Sequence, residues 1–335
     1  TVSTMGIAFI GIGATLKINP GLTAGVIVSG AFCGSNISPL SGTTNLAASV
    51  GEISIYKHIK SLLTTDIPAW AICLILYTFL GLNSKNVSLG AVHQMMAGLQ
   101  NGFWISGWAL LPVLLLIVLA IFQVPAIPSL GLGSLFAVVL GWIHAPKTSL
   151  TTITNTIMTG YVSHTGDKTI DTLLSKGGIS SMLTSLALII FALALGGLLI
   201  KFNIISAIIN HLTGIVKTPG RLAFSTALTC IGVNLLVGEH YLAIILPGQS
   251  FLPSFDKLGL KRVDLTRILN DAGAAVNAIV PWSVSGVFIA STLQINPLNF
   301  IPWAFFPFFV TILTIIAGML VKVPIKSPAA NLATE

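Results

Sequence analysis

The sequence predicts an all-α, polytopic membrane protein with inverted repeats and two broken or re-entrant helices. Hydrophobic residues make up 54% of the chain and charged residues 7%, and the mean hydropathy is +0.94. A water-facing surface needs far more charge than that. Apolar runs long enough to cross a bilayer recur from end to end. Among them lie two polar, proline-containing stretches, "GSNISPLSGTTN" at 34–45 and "NDAGAAVNAIVPWS" at 270–283. Lipid tolerates such backbone only where it is buried in protein or lines a wet cavity.

The elements follow in order. Apolar stretches at 4–16 and 22–51 are joined by a turn at "KINPG". Within the second, Pro39 deletes an amide donor and blocks the carbonyl one turn earlier, so a helix interrupted there frees backbone groups. Ser38, Ser41, Thr43, Thr44 and Asn45 add side-chain oxygens, hard ligands suited to sodium or to bridging water. Regular spans are expected at 64–82, 106–123, 127–145, 181–200 and 219–237, and 83–104 and 146–180 read as loops. Asp66, at the head of "DIPAW", reads as an N-terminal cap. An irregular stretch at 239–252 opens on Glu239, His240 and Tyr241. The next, 271–294, is interrupted at Pro281, with Asn277 and Ser283 beside the break. A last uninterrupted span covers 298–321, with "IPWA" at its head.

"PLSGTTNLAAS" (39–49) aligns with "PWSVSGVFIAS" (281–291): proline stands first in both, serine third, and Ala-Ser closes both. Counting spans makes the first broken segment run toward the cytoplasm and the second away from it, the relation expected of inverted halves. The whole chain, 1–335, thus reads as one transmembrane domain. Its repeats cover about 1–82 and 219–321, with central spans and loop at 83–218.

The same count puts eleven of the 16 Lys and Arg on one side. By the positive-inside rule the "YKHIK" loop, the "FDKLGLKRVDLTR" loop and the C-terminus face the cytoplasm of a plasma-membrane protein. The net charge of +7 is scattered over loops, which argues against nucleic acid and for an anionic leaflet. Cys33, Cys73 and Cys230 have no metal or redox spacing and read as small buried hydrophobes. The chain begins at Thr1, and a missing N-terminal segment is expected.

Carboxylates at membrane depth are ion- or proton-site candidates by default. Asp271 and Glu239 are the two chosen, with His240 as the histidine placed for a proton relay. Asp167, Asp171, Asp256, Asp264 and Glu335 read as solvated. There is no Gly-rich phosphate loop, no nucleophile-base-acid order and no metal-ligand spacing, so no enzyme activity, cofactor or bound metal beyond sodium is expected.

The stretch "NPGLTAGVIVSGAFCGSNISPLSGTTNLA" resembles the signature of the NhaC-type sodium/proton antiporters, G-D-K-x-S-P-L-S-D-T-T-N. The likeness continues through "KGGISSMLTSLALIIFALALGG", "GVNLLVGEHYLAIILPG" and "PWSVSG". Gly34, Ser38, Pro39, Leu40, Ser41, Thr43, Thr44 and Asn45 fit the pattern. Ser35, Asn36 and Gly42 depart from it, Ser35 and Gly42 at aspartate positions. Asn234, Gly238, Tyr241, Asp271, Pro281 and Trp282 also fit, and Glu239 stands where an aspartate is expected. The resemblance implies a secondary antiporter working by alternating access, with Asn234 joining the binding set. Sodium/proton exchange is the family default. Exchange of small organic anions or amino acids is the alternative on the same scaffold, and a passive channel or structural membrane subunit is the alternative of another class. The expected partners are a small ion or solute and the lipid bilayer, with room for a homo-oligomer.

Overall fold

The computed structural model describes residues 2–82, 96–97, 100, 105–122, 124, 126–166, 171, 174–175, 177–204, 207 and 218–320. The chain is all-α; among these residues no strand forms. Lys85, Lys168, Lys176, Lys217, Lys322, Lys326, Asp167 and Glu335, used above to sort the charges, lie outside the described residues.

The chain divides into two compact units, residues 1–86 with 184–335, and 87–183. In the first unit, α1 (Ile7–Thr15) leads through a turn to α2 (Pro20–Asn36). Asn19 starts α2 by accepting the amides of Gly21 and Leu22 on its side-chain oxygen, with Pro20 where a missing amide costs nothing. A turn at 37–41 separates α2 from α3 (Gly42–Val50), and α4 (Ile55–Leu82) follows. Later come α9 (Pro219–Val237), α10 (His240–Lys257) and α11 (Arg262–Ile268). From α11 the chain runs on as a π-helical turn, Leu269–Ala274, and a 3-10 turn, Ala275–Ile279, breaks at 280–283, and resumes as α12 (Val284–Leu293). A short α13 (Pro297–Phe300) and a 3-10 turn lead into α14 (Phe305–Met319).

The second unit holds α5 (Leu111–Ile121), α6 (Ala126–His144) and α7 (Leu150–Thr159); α8 (Ile179–Lys201) begins in it and continues into the first. The side chain of Leu116 packs against Gly133, joining α5 to α6. After α7, Asp171 pins a loop by accepting from the Ser163 and Thr165 hydroxyls and from the Thr165 and Gly166 amides.

Among the described residues α4 and α9 are long and apolar enough to cross a membrane. Counting each of two bent pairs, Arg262–Ile279 with Val284–Leu293 (42°) and Pro297–Trp303 with Phe305–Met319 (52°), as one span brings the number to four. With apolar side chains exposed along α5, α6 and α8, this is a multi-pass membrane protein. Small residues bring the helices together, as membrane packing requires. At Gly25 an added Cβ would collide with the backbone of Trp303, and at Gly273 with the carbonyl of Ala243.

Several sequence expectations are corrected. The "YKHIK" segment is the first turn and a half of α4, so the span begins at Ile55 and Asp66 lies in its interior, not at its cap. Pro68 sits inside the same helix. "Asp-Ile-Pro" imitates a helix start, because the cap residue and the N1 proline occur together there. The second broken element begins at Arg262, so Asp271 stands well inside it. Asp264 belongs to α11 and pairs with Arg267 at 3.1 Å. The 298–321 stretch is not uninterrupted: it bends at Ala304, where the Tyr77 hydroxyl donates to the Trp303 carbonyl and accepts the Phe305 amide.

Candidate functional site

The two broken elements run antiparallel. Asn36, the last residue of α2, meets Asp271, and Gly51, beyond α3, lies against Thr266; contacts advance along the first element as they recede along the second. By contrast α4 and α11 run side by side in the same direction. His58 bonds Thr266, Ser61 bonds Arg267 and Thr65 bonds Asp271.

At the crossing two carboxylates meet. Asp271 is fully buried and Asp66 is 2% exposed. The Asn36 side-chain amide donates to Oδ1 of both, at 3.4 Å to Asp66 and 3.3 Å to Asp271. Thr65 donates to Asp271 Oδ2 at 2.8 Å, and Thr314 lies beside the same carboxylate. Asp66 Oδ2 is buried without a hydrogen-bond partner. Among the described residues no Lys or Arg bonds either carboxylate. Arg267, one turn earlier, is engaged by Asp264 and Ser61. Counting from Ile55 to Asp66 and from Arg262 to Asp271 puts the pair about 15 Å from the helix starts, half the thickness of a hydrocarbon core. The helices are irregular at the pair: Pro68 removes the amide that would bond the Thr64 carbonyl, and a π-helical turn surrounds Asp271. Such turns recur at functional positions.

The first break is held by its own side chains. Thr44 donates to the carbonyls of Ser35 and Asn36 at the end of α2, and Asn45 donates to those of Pro39 and Ser41. The Ser41 hydroxyl lies between those of Ser35 (3.2 Å) and Thr43 (3.0 Å), while Ser38 accepts the Leu40 amide. At the second break Asn277 donates to Asn234 and to the Gly238 carbonyl and accepts the Ser285 amide. Asn234 also holds the Gly273 carbonyl at 2.7 Å. Ser283 donates to the carbonyl of Asn277 or Val280 and caps α12 through the Gly286 amide. Pro39 and Pro281 both lie in the turns at the breaks. Most residues singled out in the sequence therefore surround the breaks and satisfy freed backbone groups. Glu239 is the cap of α10, accepting the Leu242 amide, with His240 Nδ1 3.6 Å from its other oxygen.

Of the sequence candidates, Asp271 alone enters the carboxylate pair. Asp66, Asn36 and Thr65 were missed. The signal for Asp66 was there, an acidic side chain in an apolar run, but it was outweighed by the resemblance to a cap. Asn36 was visible as a departure from the antiporter signature, at its lysine position.

Beside the crossing opens a cavity of about 470 Å³, with Ser35, His240 and Ser285 as its polar lining and Phe32, Phe288 and Ile289 among its apolar walls. Close by, a Cβ at Gly42 would stand 3.0 Å from the Tyr241 hydroxyl.

The family model described as the Na+/H+ antiporter family matches residues 3–321. The chain belongs to the Na+/H+ antiporter family. It is 38% identical over 324 residues to the Na(+)/H(+) antiporter NhaC of Bacillus subtilis (strain 168), covering 96% of this chain and 72% of that one. It is 35% identical over 323 residues to the malate-2H(+)/Na(+)-lactate antiporter of the same organism, covering 95% and 68%. It is also 32% identical over 343 residues to the arginine/ornithine antiporter ArcD of Halobacterium salinarum, covering 100% and 70%. No solved structure matches the chain.

Proposed function

We propose that this chain is a plasma-membrane secondary antiporter that exchanges sodium for protons by alternating access, with Asp66 and Asp271 carrying both cargoes. The observation behind this reading is the buried carboxylate pair with one shared neutral donor and, among the described residues, no bonded Lys or Arg. Two negative charges held this close, away from water, require a compensating positive charge. A proton meets the requirement, and so does a dehydrated sodium ion bound through Asp66 Oδ2, Asp271 and the Thr65 hydroxyl. Because the two cargoes compete for the same oxygens, loading one displaces the other, and that competition is the coupling. The antiparallel broken elements act as inverted halves around the pair. Their breaks, held by Thr44, Asn45, Asn234, Asn277 and Ser283, are where one half moves against the other. The end bearing Lys57, Lys60, Lys257 and Lys261, and with it the C-terminus, faces the cytoplasm.

The test is exchange in proteoliposomes, with internal pH followed by a trapped dye after sodium is added outside. We expect sodium-dependent alkalinisation or acidification set by the gradients imposed, and its loss in both Asp66→Asn and Asp271→Asn, with membrane insertion unchanged. Normal exchange in either variant would remove that carboxylate from the mechanism.

A second reading rests on the cavity. Its volume suits a small organic solute, it contains no carboxylate, and two relatives are named for organic solutes. Counterflow of malate, lactate, arginine and ornithine in the same vesicles separates the readings.

A further inference from the structure

Buried polar atoms in folded proteins find partners in protein or ordered water, and each exception calls for an explanation. Three of the exceptions here lie on α4 and on the element that begins at Arg262. His58 Nε2, both polar atoms of the Asn270 side chain and Asp66 Oδ2 are buried without partners, and His58 and Asn270 are 0% exposed. Helical register sets their order. Asn270 is one turn beyond Thr266 on the same face of its helix, and Thr266 touches His58 at 3.0 Å. Asp66 is two turns beyond His58 along α4. At ~1.5 Å per residue these steps rise about 6 Å from His58 to the level of Asn270 and about 12 Å to that of Asp66. One turn of rise is a step that bridging water can span where two polar side chains face one another.

The Thr266 hydroxyl is within reach of both the Val263 carbonyl, at 3.1 Å, and His58 Nδ1, at 3.0 Å. In the tautomer the relay uses, that hydroxyl donates to Val263, His58 Nδ1 donates to Thr266, and Nε2 is a bare, buried acceptor.

We propose that His58 relays protons between the Asp66–Asp271 pair and the end of the molecule carrying Lys57 and Lys60, through waters held by Asn270. A proton leaving Asp66 passes along the waters to His58 Nε2. The imidazolium so formed gives up its Nδ1 proton past Thr266 toward that end, one proton entering and one leaving; the reverse sequence loads the carboxylate. The charged groups on the elements packed around this segment set how long the imidazolium lasts. These are Lys57, Lys60 and Asp66 on α4 itself, Glu52 beyond α3, and Arg262, Asp264 and Arg267 with Asp271 on the α11 element. Arg267, buried beside the path with its Nε unpartnered, disfavours a lasting second positive charge, so the ring passes protons on instead of storing them.

The inference rests on the reading of Asp66 and Asp271 as the proton-carrying pair, and one measurement separates the two. Sodium is added to purified protein in weakly buffered detergent, and proton release is timed with a pH dye while sodium affinity is measured at equilibrium. In His58→Asn, which keeps a donor for Thr266 but cannot ionise, release should slow by about a hundredfold, within the range a positioned proton-transfer group contributes. Sodium affinity should stay within twofold. Asn270→Leu should slow release likewise, and His58→Gln serves if the first variant folds poorly. Release at the native rate in the folded variants overturns the relay and leaves the pair standing. No sodium-dependent release from the native protein overturns both.

Discussion

Thr65 shows how much one residue contributes at the crossing. Its hydroxyl lies within reach of the Leu62 carbonyl and of Asp271 Oδ2, and donating to the carboxylate stabilises a negative charge that burial opposes. Hydrogen bonds to charged groups contribute about 1.5–3 kcal/mol. Thr65→Val keeps the shape of the side chain and removes the donor and a sodium ligand together, so apparent sodium affinity in proteoliposome exchange should weaken by at least tenfold. An affinity within twofold of native would place the ion elsewhere. Asp171, in the loop after α7, behaves differently. Four hydrogen bonds, led by those from Thr165, lower its carboxyl to about 2 from the usual 3.8. A depressed value means the loop is stabilised fully above about pH 4 and loses that support as the pH falls through about 2. Protection factors of the Thr165 and Gly166 amides should therefore be flat from pH 7 to 5 and fall below pH 3. In Asp171→Asn they should be low throughout; an unchanged fall in that variant would deny the carboxylate its role.

At the scale of elements, the breaks are more tightly held than their composition suggests. Asn277 joins Asn234, Gly238 and the start of α12 with three hydrogen bonds in a buried place. Removing it orphans groups that each cost about 1–3 kcal/mol to leave unpaired. Asn277→Ala should lower the thermal midpoint in detergent by several degrees and loosen the 42° bend; a midpoint within one degree of native would show that water replaces the amide. The breaks themselves were legible in the sequence because proline and polar clusters at membrane depth have few structural readings. What they are for was less legible. Ser38, Thr43 and Asn45 are polar in a way that suits an ion, yet much of that polarity serves the backbone, and no local pattern separates a side chain that ligates cargo from one that caps a helix. Asp66 escaped for a related reason. Its neighbours Ile67 and Pro68 look like a helix start, and only the packing of α4 against α11 shows the helix running through from Ile55. The pair is a tertiary fact, joined by Asn36 from a third element.

At the scale of the first unit, the residues at the ends of the broken elements supply a test of how the chain sits in a bilayer. Arg262 clamps Asp256 with two hydrogen bonds and also bonds Glu52, tying together the end of α10, the start of α11 and the chain beyond α3. This end also carries Lys57, Lys60, Lys257 and Lys261. From Arg262 to Leu293 the helical path, at ~1.5 Å per residue, exceeds the ~30 Å of a hydrocarbon core even after a bend of 42°. The element is therefore long enough to cross, and a re-entrant course would need it to fold back at 280–283 far more sharply than 42°. Single cysteines decide between these courses. In a background with Cys33, Cys73 and Cys230 replaced by alanine, Lys57→Cys and Lys261→Cys should react with a membrane-impermeant maleimide only in inside-out vesicles. Gln294→Cys should react only in right-side-out ones. Labelling of all three from one face would make the second broken element re-entrant. The inverted-repeat reading would fall with it, because two halves related by inversion must carry their broken elements across in opposite directions.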